Sequence, residues 1–196
     1  MNTNKKILAA ASLAVCAACG GGDGSTFATG TATLTGAIGG QPMTARDAVS
    51  VIVGAGTAQS AALLVLTNAA NQCSLFTNHQ AVRNAQVIVL GVGTQSGTTS
   101  TAPVVGSYPI YTVAGSITAS GPVAVAQFAT TDASCHTTTP VPVEATTGHV
   151  DLTSVAPAGY VGTLDVTFSN AEHITGSFNT ANCAALANLT PSTTCP

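Results

Sequence analysis

Two groups of residues in this chain could do chemistry. Cys16-Ala17-Ala18-Cys19 places two thiols three positions apart, the spacing of a redox pair or of half a zinc site. The second group is His149, Asp151, Asp165, Glu172 and His173, imidazoles and carboxylates able to hold a divalent cation or pass a proton. Neither arrives with its usual companions. A redox C-x-x-C needs a βαβ context and a helix that lowers the thiol pKa, whereas this one lies between an apolar run and the glycine string Gly20–Ser25. A haem attachment motif needs histidine next, and the next residue is Gly20. A zinc half-site needs a second pair of matching spacing, and the chain has none. G-x-S-x-G, H-E-x-x-H, P-loop and EF-hand patterns are also missing, so no catalytic residue can be nominated and an enzyme is the least supported reading.

What surrounds the cysteines gives them a different use. Lys5 and Lys6 form a basic start, Ile7 to Val15 a nine-residue apolar run, and small residues follow, the order of a secretory signal. Nine residues fall far short of the roughly 20 that cross a bilayer as a helix. With Cys16-Ala17-Ala18-Cys19 at its end, this segment resembles a bacterial lipoprotein signal, whose lipobox closes on a cysteine. Ala17 and Ala18 before Cys19 suit the signal peptidase; Cys16, preceded by Val15, is the alternative site of lipidation. The resemblance implies a cleaved signal over 1–18 and a diacylglycerol thioether on Cys19 as the only attached group, with no other cofactor. Residues 19–28 then form the lipidated cysteine and a Gly-rich tether. Gly20, rather than Asp, after the cysteine points to the outer membrane, with the membrane itself as a partner.

Composition agrees with an extracytoplasmic protein. Charged residues make up 6% of the chain, against about a quarter in an average domain. Beyond the signal, two arginines (Arg46 and Arg83) stand against seven acids, a net charge of −5. Two basic residues cannot neutralise a phosphate backbone, which excludes nucleic acid as a partner. A protein or glycan partner is left open. The 31 threonines and 20 glycines are the composition of strands punctuated by turns.

The elements that position the histidines and carboxylates are strands. Thr29–Ile38, Ala48–Val53, Ala62–Leu66, Ala85–Leu90 and Pro122–Ala129 read as strands, three of them as apolar runs compatible with burial on both faces. Gly91–Pro103 and Thr137–Thr147 read as turn-rich loops that could shape a ligand site. The last third alternates. Val150 and Leu152, then Leu164, Val166 and Phe168, then Ile174 and Phe178 take one face, with hairpin-sized connections between them. This predicts a three-stranded antiparallel meander with one wet face. A register with Val150 opposite Leu164 sets His149 against Asp165 and avoids a like-charge Asp151–Asp165 pair. The binding-face candidates are therefore His149, Asp151, Asp165 and His173, with ordinary solvated strand polarity as the competing account. Altogether the pattern predicts an all-β domain over 29–183, an antiparallel sandwich or small barrel of about eight or nine short strands. The stretch Gly162-x-Leu-x-Val-x-Phe168, followed by Gly176-Ser-Phe178 and Cys183, is similar to the C-terminal pattern of uncharacterised β-rich bacterial lipoproteins, a likeness that implies no activity.

Four cysteines remain for the domain: Cys73, Cys135, Cys183 and Cys195. An even number in an oxidising compartment predicts two disulfides, in any of three connectivities. Cys73 with Cys135 or Cys183 would staple the loop after Ala62–Leu66, leaving Cys195 to hold the tail 184–196. His79 and Arg83, four apart, would share a face if Cys73–Ala85 were helical. Tyr108 and Tyr111, around Pro109, suit packing better than a sugar platform.

Overall fold

The computed structural model describes residues 29–138, 142–188 and 195. The signal, Cys16, Cys19 and the tether lie outside the described residues, as does most of the tail. Among the described residues there are twelve strands: β1 (Thr31–Ile38), β2 (Gln41–Pro42), β3 (Asp47–Val53), β4 (Ala61–Thr67), β5 (Gln86–Ser96), β6 (Thr99–Thr101), β7 (Gly106–Pro109), β8 (Gly121–Thr130), β9 (Val143–Ala156), β10 (Gly159–Phe168), β11 (His173–Asn179) and β12 (Ala181–Asn182). Two short helices, α1 (Gln72–Thr77) and α2 (Val113–Ser116), and a 3-10 turn over Ala184–Asn188 complete the described elements. The all-β expectation holds, with more strands than eight or nine.

The strands form one sheet in the order β12-β3-β4-β5-β8-β9-β10-β11-β1-β2, with β6 beside β5 and β7 beside β9. Every pairing between these strands is antiparallel except β12 with β3. One residue, Thr180, separates β11 from β12, yet those strands stand near opposite ends of that order. The sheet must therefore curl, as a half-barrel, until its two ends approach. At the seam the Thr180 and Ser50 hydroxyls are hydrogen-bonded at 2.8 Å. The Gly30 N–H donates to Asp47 Oδ1 at 3.1 Å. Asp47 is buried, and its carboxylate also accepts the N–H groups of Ala48 and Gln72, as a buried charge requires.

Curling encloses the main core. Leu64, Leu66, Ile88, Leu90 and Phe128 from one half meet Val150, Leu164, Val166, Phe168 and Phe178 from the other. Phe128 and Phe168 pack edge to face, ring centroids 4.8 Å apart. A second, smaller core covers the opposite face of β3–β5. There Val49, Val51, Val65, Val87 and Val89 pack with Cys73, Cys183 and Leu186, under α1 and the 3-10 turn. Burial on both faces is why β3, β4 and β5 read as apolar runs rather than alternations. The structure pairs Cys73 with Cys183 and Cys135 with Cys195.

Three sequence expectations need correction. Gly91–Pro103 is not mainly a loop, because β5 continues through Gly91 and Gly93 to Ser96 and β6 follows. A Cβ on Gly93 would come within 3.1 Å of the Thr101 carbonyl oxygen and 3.5 Å of Ala61 Cβ, so the glycine marks a close approach inside a strand. Thr137–Thr147 likewise gives way to β9 at Val143; residues 139–141 lie outside the described ones. Finally, α1 stops at Thr77, and His79 takes a left-handed φ of 51°. His79 and Arg83 therefore share no helical face.

A polar face across five strands

The meander is present, and β9, β10 and β11 are consecutive neighbours in the sheet. Leu164 stands opposite Val150 and Asp165 opposite His149, the register that avoids facing aspartates. Inward alternation puts Val150, Leu152, Leu164, Val166, Ile174 and Phe178 in the core, so the intervening residues must face out.

Backbone register and side-chain partner differ, however. His149 Nε2 lies 3.3 Å from Asp151 Oδ2 on its own strand. The carboxylate of Asp165 is taken from the other side, with its Oδ1 2.9 Å from His173 Nε2. His173 stands opposite Thr167, and Asp165 opposite Thr175, so this contact runs diagonally, within reach of long side chains. All four side chains are roughly 40–50% exposed. Pairs this exposed contribute about 0–1 kcal/mol, so their place on the surface is not explained by stability. Glu172 leaves the group altogether. Its carboxylate accepts the N–H groups of Gly39 and Gly40 at 3.2 and 2.7 Å, fixing the β1–β2 turn against the β10–β11 turn. The two imidazole–carboxylate pairs supply two donors each, and no group of three metal-ligating side chains forms among the described residues.

Sequence reasoning missed the breadth of this face. β1 pairs with β11, placing Thr33 opposite Ser177 and Thr35 opposite Thr175. On the other side, Ser107 of β7 stands opposite Asp151. One row thus runs Ser107, Asp151, Thr163, Ser177, Thr33 across five strands, and the next runs His149, Asp165, Thr175, Thr35 across four. Rows of a sheet repeat about every 4.8 Å across strands and about 6.8 Å along them, so these groups form a regular lattice. Overlapping it, a shallow trough of about 290 Å³ is lined by Thr33, Thr163 and Ser177 of the first row and by Thr31, Val161 and Asn179 at the start of β1, the start of β10 and the end of β11, among others. The signal was available in Thr31-x-Thr33-x-Thr35. What could not be read locally was that β1, distant in sequence, adds itself to the meander's edge.

Elsewhere Cys135, a neighbour of His136, is bonded to Cys195 and so offers no free thiol. Tyr108 is buried, its O–H donating to the Val104 carbonyl at 2.7 Å and its oxygen accepting the Val104 N–H at 2.8 Å. Compared with protein-family models, curated proteins and solved structures, the chain matches none.

Proposed function

We propose that this chain is a bacterial lipoprotein, held at the outer membrane by lipid on Cys19, whose β-domain binds a partner rather than transforming a substrate. The observation that carries the binding role is the polar lattice across β7, β9, β10, β11 and β1. Its hydroxyls donate and accept alike, it carries no lysine or arginine, and each of its two aspartates lies against a histidine, so hydrogen bonds are the chief means by which it would recognise a partner. A neutral, hydroxyl-bearing polymer such as a glycan strand meets that description better than an acidic or basic protein. The anchor reading rests on Lys5 to Cys19 and is supported by two cysteine pairs at bonding distance, which suit an oxidising compartment.

Two experiments test the two halves. Cys19→Ala should abolish acyl labelling and release the protein from membranes; persistent labelling would move the anchor to Cys16. For the face, Thr33→Val and Thr163→Val together remove two hydroxyls at nearly constant volume. Co-sedimentation with purified peptidoglycan and with other insoluble glycans should be strong for the parent chain. It should fall about tenfold or more in the double variant, the loss of roughly one hydrogen bond per site. No sedimentation of the parent chain with any glycan would sink the reading.

A further inference from the structure

The face that binds leaves open how the domain sits on its membrane, and one end of the sheet bears on that. Val104 and Val105 are 66% and 60% exposed, and Val155 and Val161 are exposed as well. Single exposed valines need no explanation, but these four are gathered by topology. Gly106 stands opposite Leu152, Tyr160 opposite Val155, and Val161 opposite both Ser154 and Asn179. The start of β7, the end of β9 and the start of β10 therefore share one end of this half of the sheet. The Tyr108 hydroxyl grips both backbone groups of Val104, so the paired valines are presented on a fixed loop.

The same end is where the chain enters the domain. Thr31, first in β1, stands opposite Asn179, which in turn faces Val161. We infer that this valine-bearing end lies against the lipid surface to which the anchor ties it; the inference rests on lipidation at Cys19. Four observations favour a bilayer as the occupant. Residues 20–28 can span at most about 30 Å, while the ten residues of β10 extend about 33 Å. The opposite end thus lies beyond the reach of even a fully drawn-out tether. No charged residue occurs between Arg83 and Asp132, or between Asp151 and Asp165, so the valine loop and the β9–β10 turn bring no carboxylate to anionic headgroups. At the other end of these strands stand Glu144 and Glu172, which such headgroups repel. Exposed Arg46 precedes Asp47, whose carboxylate holds Gly30 at the entry to β1, a positive charge on the membrane side.

The chain contains no tryptophan, so single reporters can test this. The full chain, expressed in a bacterium that acylates it, would carry either Val105→Trp or Asn170→Trp, the latter in the β10–β11 turn. Each is reconstituted into phosphatidylcholine–phosphatidylglycerol vesicles with and without brominated acyl chains. Emission from the Val105→Trp variant should shift to the blue and be quenched by the bromines, with emission from the Asn170→Trp variant unaffected; the affinity of tryptophan for interfaces is common to both. Flotation with the vesicles but equal quenching, or quenching only in the Asn170→Trp variant, overturns the docked orientation while leaving the anchor in place. Failure to float overturns the anchor, and the orientation falls with it. Val104→Ser with Val105→Ser, read through Ala158→Trp at the β9–β10 turn, adds a second measure. Quenching there should weaken, and unchanged quenching would count against the valines as the contact.

Discussion

At the scale of single residues, the chain uses its few charged and titratable side chains sparingly and for definite ends. Asp47 and Glu172 hold backbone N–H groups at the seam and at a turn, leaving His149, Asp151, Asp165 and His173 on the outer face. Tyr160 is different. It is buried in the core, and burial, reinforced by the negative charge Tyr108 would carry, raises its pKa above the ordinary value of 10.0. The folded state therefore holds this proton to higher pH than the unfolded chain does. Its contribution to stability is complete below pH 10 or so, and is lost as pH climbs through the raised value. Thermal melts taken across alkaline pH should show Tyr160→Phe losing stability less steeply than the parent chain, since phenylalanine has no proton to release. Parallel alkaline limbs would mean that Tyr160 does not govern this loss.

At the scale of elements, legibility followed locality. The meander could be read because strict alternation and hairpin-sized turns are properties of neighbouring residues. Its register could be read because placing Asp151 against Asp165 is unfavourable. The two-sided burial of β3, β4 and β5 was visible as apolar runs, though not the elements that cover them. Where glycine and threonine dominate, composition misled. Gly91 and Gly93 look like a turn but belong to β5, and at Gly93 a Cβ would be crowded against the Thr101 carbonyl oxygen at 3.1 Å. Gly148 plays a related part within β9. It has φ 123°, and a Cβ there would lie 2.0 Å from the Asp165 carbonyl oxygen, so only glycine lets β10 pass that close. Such positions signal turns when read one residue at a time. The binding-face candidates were placed on the correct strands, but a carboxylate's choice between two imidazoles depends on a diagonal that no pattern encodes.

At the scale of the whole molecule, closure is the step that local signals could not supply. The sheet's ends meet because Thr180 alone joins β11 to β12, and β12 adds two residues to β3. A two-residue parallel pairing is a slight hold for a seam that defines the fold. Cys183 follows β12 immediately, and its partner Cys73 lies in α1, 110 residues earlier in the chain. That bridge fixes the seam against the β3–β5 half, and the length of chain it closes makes it restrict the unfolded ensemble strongly. Replacing both cysteines with alanine should therefore lower the unfolding free energy by about 2–4 kcal/mol in urea titrations. The loss should be felt first at the seam, with the Ser50–Thr180 region gaining hydrogen exchange before the β9–β10–β11 meander does. A variant that loses stability evenly across both regions would show that the bridge acts only on the unfolded chain. Selective exposure at β12 would instead show that the disulfide holds together a sheet whose two ends are otherwise joined by few contacts.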